Sequence, residues 1–183
     1  MKPIARWIIV GAILIAVVLW LAGCTPGDAP DSPGYVSGNG TVTVFDDAAE
    51  LTLTGTSFQG DAVDTSDYLG QVVLVNTWYA SCPPCRSEAP VLVEFDARDD
   101  VQVVGVNNRD DAGTAEAFER TFGVEYPSIN DADGAAIAQM QGKVAINAVP
   151  TTLVVSPDGT VYARIIGEAE ASTLKALIEE AAA

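Results

Sequence analysis

Three cysteines and no histidine among 183 residues set the chemistry open to this chain. Cys82 and Cys85 stand three apart in the segment Trp78-Tyr79-Ala80-Ser81-Cys82-Pro83-Pro84-Cys85-Arg86-Ser87-Glu88-Ala89-Pro90. Two thiols at this spacing can close a small disulfide with little backbone movement, so dithiol and disulfide states are both accessible. The segment falls where an apolar run ends and a helical pattern begins. Cys82 takes the helix N-cap region, and Pro83 lies near the first helical position, where its missing N–H costs nothing. Free N–H groups and the helix dipole favour a thiolate there. Cys85, one turn on, is expected to be the less exposed of the two. A purely structural disulfide is an alternative, although so short a loop gains little loop entropy. Half a zinc site is another, but it lacks a second ligand pair. The absence of His removes Ser-His-Asp and Cys-His catalysis as well as His-ligated zinc or copper, and no metal site is expected.

A reactive pair at this place needs a strand before it and a helix after it. Residues 72–77 (VVLVNT) form a continuous apolar run, the pattern of a strand buried on both faces. A helix is expected over 83–97 and a second buried strand over 101–106. Residues 112–122 read as a helix with Ala115, Phe118 and Phe122 on one face, and 135–141 as a short helix. Strands at 152–155 and 161–166 flank Pro157-Asp158-Gly159, which makes them a hairpin. A last helix over 171–182 turns Leu174, Leu177 and Ile178 inward. Upstream, 41–45 and 51–58 alternate Thr with Val or Leu and are expected to pair as an N-terminal β-hairpin. The order β-hairpin, βαβα, ββα gives an α/β fold, a mixed central β-sheet flanked by helices, over residues 41–183.

The chain opens differently. Lys2 and Arg6 precede an uncharged run from residue 7 to 23, which ends Leu21-Ala22-Gly23-Cys24. That ending resembles the lipobox of bacterial lipoproteins. The resemblance implies that 1–23 is a signal peptide and that Cys24 receives a lipid and becomes the mature N-terminus. An uncleaved signal anchor is the alternative. Either way the rest of the chain lies on the extracytoplasmic face, since the positive flank stays inside. Residues 25–40 (TPGDAPDSPGYVSGNG) are rich in Pro, Gly, Ser and Asp and read, after Cys24, as a flexible tether. Its reach would be roughly 20–25 Å. The net charge is −16, and −18 if cleavage removes Lys2 and Arg6. Such a surface offers no footprint for nucleic acid. It steers toward cationic or neutral partners, or serves solubility alone.

The 78–90 segment resembles the active site of the thioredoxin superfamily, and within it the TlpA/ResA-like membrane-anchored thiol-disulfide oxidoreductases. The resemblance spans roughly residues 45–182. Trp78 matches the family's Trp four residues before the first Cys, and Pro90 its helix-kinking Pro. Val149-Pro150-Thr151-Thr152 matches the cis-Pro loop that faces the dithiol. The spacing of about 65 residues from Cys85 to Pro150 leaves room for that group's central insert near 109–130. The resemblance implies a thioredoxin-like fold and a thiol-disulfide oxidoreductase whose only redox group is the Cys82–Cys85 pair, with no other cofactor. It makes Cys82 the attacking thiolate and Cys85 the resolving one, with Trp78, Pro83, Val149 and Pro150 at the substrate. Asn76 stands where thioredoxins keep a buried Asp, and it cannot shuttle a proton. Glu88 matches the Glu that the TlpA/ResA-like group carries after its second Cys; if buried, its pKa should rise and it could exchange protons with the thiols. The implied partners are protein disulfides, with apocytochrome c among the analogies, and a membrane thiol-transfer protein as electron donor. Two departures are Ser81 directly before Cys82 and the Pro-Pro pair between the cysteines. A thiol peroxidase of the same superfamily is a rival reading, but Tyr79 stands where that group has Thr. A non-enzymatic lipoprotein with a structural disulfide is another.

Overall fold

A computed structural model describes residues 39–46, 49–143 and 148–183 of the chain. The signal segment 1–23, Cys24 and the tether up to residue 38 lie outside the described residues. The elements in chain order are β1 (Thr41–Val44), β2 (Thr54–Thr56), β3 (Ala62–Asp64), a 3-10 turn (Thr65–Tyr68), β4 (Val72–Thr77), α1 (Pro83–Asp96) and β5 (Val101–Asn107). There follow α2 (Ala112–Phe122), β6 (Ser128–Asn130), α3 (Ala135–Gln139), β7 (Thr151–Val155), β8 (Val161–Ile166) and α4 (Ala171–Ala181).

The apolar run of β4 is buried at every position because it lies inside a six-stranded sheet of order β1-β8-β7-β4-β5-β6. It pairs parallel with β5 and antiparallel with β7. Successive side chains leave a strand on opposite faces. Val72 and Leu74 therefore join Leu92 and Phe95 of α1 and Leu174, Leu177 and Ile178 of α4. Val73 and Val75 join Leu53, Ile129, Met140 and Leu153 on the other face. Each fully buried Leu or Ile contributes about 1.5–3 kcal/mol, and both faces of the central strands hold several.

The antiparallel β4–β7 register sets the site. Thr77 lies opposite Thr151 and Asn76 opposite Thr152. The chain leaving β4 toward Cys82 and the chain entering β7 from Pro150 are thus neighbours at one end of the sheet. On the far side of β4, Asn107 ends β5 and Asp110 follows it, both at the same end.

The N-terminal region departs from expectation. The strand expected at 41–45 does not pair with 51–58; it runs antiparallel to β8 at the sheet edge. A hairpin does form, but it is β2 with β3, in a separate two-stranded sheet. Leu51 and Leu53 are buried outside any strand. Their N–H groups donate to the Gly159 carbonyl at 2.9 Å and to Thr65 Oγ1 at 2.8 Å. Residues 109–130, expected to carry an insert, form α2 and the edge strand β6, which pairs parallel with β5. Asp111 caps α2 by accepting from Thr114 N–H at 2.8 Å, and Gly123 ends it at φ 69°. Two residues that the tether reading included are held to the sheet: Asn39 bridges Glu168, and Gly40 N–H donates to the Glu168 carbonyl.

Candidate active site

Cys82 caps α1, with Pro83 and Pro84 opening the helix. Its sulfur accepts from Cys85 N–H at 3.2 Å. Cys82 and Cys85 form a disulfide with Cα atoms 5.3 Å apart, in the ordinary range. The contrast in exposure expected between them is absent: Cys82 is 0% and Cys85 2% exposed. The physical reason is packing. Both sit in an apolar cluster with Trp78, Tyr79, Ala89, Ala115, Phe118 and Val149.

The loop from β4 to Cys82 is fixed from two sides. Asp110 Oδ2 accepts from Ala80 N–H at 2.6 Å and from Asn107 Nδ2 at 2.8 Å. Arg86 Nη1 donates to the Ala80 carbonyl at 3.2 Å, while its guanidinium lies over the Phe122 ring. Tyr79 is buried, with the Arg109 guanidinium 4.5 Å from its ring centre.

The residues expected at the substrate divide. Pro83 is exposed, but Trp78, Val149 and Pro150 are buried in the oxidised state. Trp78 stacks on Phe118 of α2 with ring centres 4.5 Å apart. It therefore backs the surface in this state instead of forming it, and the same holds for Val149. The Val149–Pro150 peptide bond is cis, as the motif implies.

Glu88 lies one turn beyond Cys85 on α1 and is 1% exposed. Positions three apart on a helix are neighbours on its surface. Its carboxyl turns onto the sheet, where Oε1 accepts from Asn76 Nδ2 at 2.8 Å and Oε2 accepts from Ala169 N–H at 2.8 Å. Asn76 Nδ2 also donates to Thr152 Oγ1 at 3.0 Å. Burial pushes the Glu88 pKa up to about 8; the two N–H donors oppose that shift and the charge of Glu168 adds to it. Asn76 thus holds the acid without itself carrying a proton.

Sequence reasoning reached Cys82, Cys85, Glu88 and the Val149–Pro150 loop, and the fold brings them to one end of the sheet. Cys24 lies outside the described residues. Asp110, Thr152 and Ala169 were missed as supports. Thr152 stands in the quoted Val-Pro-Thr-Thr motif and faces Asn76 across the ladder, so the strand register could have found it. Ala169 acts through its backbone and leaves no side-chain signal.

Residues 44–164 match the AhpC/TSA family. Thiol-disulfide oxidoreductase ResA of Bacillus subtilis (strain 168) is 27% identical over 135 residues, 72% of either chain. The thiol:disulfide interchange protein DsbE homolog of Paracoccus denitrificans is 37% identical over 100 residues, 52% of this chain and 51% of that one. This alignment therefore spans about half the length of that relative. Among solved structures, a DsbF homologue from Corynebacterium diphtheriae superposes with a TM-score of 0.67 at 28% identity, covering 85% of this chain and 96% of that one. A thiol:disulfide interchange protein from Chlorobium tepidum TLS superposes with a TM-score of 0.66 at 24% identity over 74% of this chain and 98% of that one, a likeness of fold.

Proposed function

Since the chain belongs to the AhpC/TSA family, we propose that it is a protein thiol-disulfide oxidoreductase that reduces partner disulfides on the extracytoplasmic face of a bacterial membrane, held there by lipid on Cys24. The observation that carries this reading is a disulfide at a helix N-terminus with a buried, proton-holding carboxyl one turn behind it. The relatives' names, thiol-disulfide oxidoreductase and thiol:disulfide interchange protein, support it.

In the reduced protein Cys82 is the thiolate, stabilised by the Cys85 N–H and the helix dipole. Its sulfur attacks one sulfur of the partner disulfide. A protein–partner S–S bond forms, and the partner's other sulfur leaves as a thiolate. With a pKa of about 8 Glu88 is ionised in a fraction of molecules near neutral pH, and in that form its carboxylate takes the proton of Cys85. The Cys85 thiolate then attacks Cys82 Sγ, the Cys82–Cys85 bond forms, and the second partner sulfur leaves. The partner gains two electrons and the dithiol loses two. In the reverse direction protonated Glu88 returns the proton to Cys85 as it leaves. Both cysteines are buried while joined, so docking must bare Cys82 Sγ. Pro83 supplies exposed docking surface, and docking must also bare the buried Val149–Pro150 loop, which Trp78 backs.

The disulfide is the only redox group this mechanism needs, and electrons reach it from a membrane thiol-transfer protein. Protein disulfides are the substrates, with the haem-binding cysteines of apocytochrome c as one candidate. The thiol peroxidase reading is disfavoured because Tyr79, buried under Arg109, occupies the place of that group's Thr.

Cys85→Ser is expected to accumulate a mixed disulfide through Cys82, seen on non-reducing gels, and Cys82→Ser to accumulate none. Trapping by Cys82→Ser alone would reverse the roles. A reduction potential near or below about −270 mV is expected, and a value near −120 mV would make the protein a disulfide donor instead.

A further inference from the structure

Three consecutive residues after β8 carry three hydrogen bonds in different directions. Gly167 N–H donates to the Pro150 carbonyl at 2.9 Å, on the loop facing the disulfide. The Glu168 carbonyl accepts from Gly40 N–H at 3.0 Å. Ala169 N–H donates to Glu88 Oε2 at 2.8 Å. This strap therefore joins the docking loop, the start of the first strand and the buried acid.

The last two bonds belong to one peptide group. The Glu168 carbonyl and the Ala169 N–H are opposite ends of a single planar unit, so fixing the oxygen fixes the direction of the N–H. The chain of donors runs from Gly40 N–H through the 168–169 peptide to the Glu88 carboxyl. Hydrogen bonds in such a chain polarise one another. Glycine at position 40 is what permits the approach. A Cβ there would collide with Ile165 Cγ2 and lie 2.7 Å from the Glu168 carbonyl oxygen. Neither neighbour is the loose end of a long side chain; one is backbone and the other belongs to a core residue.

We infer that Gly40 is a remote positioning residue for Glu88: by clamping the Glu168 carbonyl it aims the Ala169 N–H at the carboxyl and so sets the pH at which the acid works. The inference rests on the proposed role of Glu88. An N–H aimed at a carboxylate favours the charged form, so loosening the clamp raises the pKa. The other groups around Glu88 are Asn76 on β4, Cys85 on its own helix, Tyr126 ahead of β6 and the charge of Glu168. Of these only Glu168 sits on the strap. Moving its charge away would lower the pKa, so the two effects have opposite signs and can be separated.

The test follows the Glu88 carboxyl by carbon-13 NMR across pH in the full-length oxidised protein. Gly40→Ala is expected to raise the midpoint, with the acid dissociation constant falling about threefold, roughly half a pH unit. The rise should persist in a Glu168→Gln background. Val42→Ala, at an exposed position of β1 just after Gly40, should leave the midpoint in place. An unchanged or lowered midpoint in Gly40→Ala overturns the inference. Should that variant not fold, hydrogen exchange on the unmodified protein decides: the Gly40 and Ala169 amides should open together with equal protection. An Ala169 amide that stays closed while Gly40 exchanges overturns the clamp. Glu88→Gln tests the underlying reading separately. If it leaves the pH profile of thiol exchange untouched, the acid's role fails, while the carboxyl titration still decides the clamp.

Discussion

Glu88 carries a carboxyl into a place where its charge is unfavourable, and this has a consequence for stability. Burial moves its pKa from the ordinary 4.5 to about 8. Between those values the folded protein holds a proton that the unfolded chain has released. The contribution of Glu88 to stability is therefore full below about 4.5, declines as pH rises, and is lost on passing about 8. The slope is at most about 1.4 kcal/mol per pH unit. Glu88→Gln is expected to remove this dependence. Its urea midpoint relative to the native protein should be flat in acid and should move in the variant's favour across that window. Parallel pH profiles for the two proteins would mean that the carboxylate is well solvated.

At the scale of elements, the loop before Cys82 depends on the turn after β5. Asp110→Ala leaves Ala80 N–H and Asn107 Nδ2 without their shared acceptor, and bonds to a charged group contribute about 1.5–3 kcal/mol. Urea denaturation of Asp110→Ala should show a loss of that order, and Asp110→Asn a smaller one because it keeps an acceptor oxygen. A loss below about 0.5 kcal/mol for Asp110→Ala would show that the loop holds itself. The elements around this loop were legible in the sequence. β4 and β5 announce themselves as valine-rich runs, α1 by Pro83 at its start, α2 by the apolar face of Ala115, Phe118 and Phe122, and the β7–β8 hairpin by Pro157-Asp158-Gly159. The alternation at 51–54 was legible as burial but not as pairing. An apolar period says which face is inside and does not name the partner strand. β6 has three residues, too few for any period. The exposure of Cys82 was misjudged because Val149 and Phe118, which close over it, come from distant parts of the chain. Ala169 was invisible for a different reason: any residue except proline supplies the same N–H.

For the whole molecule the dominant quantity is charge, −16 with 25 acidic residues. Arg86 and Arg109, both exposed, flank the disulfide through their contacts with Phe122 and Tyr79. The long-range field is nevertheless negative, and it acts on approach before any contact forms. Thiol exchange with a cationic disulfide peptide should slow as ionic strength rises from about 0.01 to 0.15 M, where the screening length shrinks from roughly 30 to 8 Å. An anionic peptide of equal length should speed up. Reversed salt responses, the cationic peptide speeding up and the anionic one slowing, would mean that the local arginines outweigh the net charge. The burial of Glu88 also bears on how such a protein can change over generations. Its docking loops sit at one end of the sheet and can vary while the scaffold stays put. The acid instead shares its sheet face with Leu92, Ile165 and Ala169, so a substitution chosen there for better packing also retunes proton affinity. Adaptation to a new partner therefore has an open route through the loops. Adaptation to a new acidity or temperature has to pass through residues that selection cannot alter for one property alone.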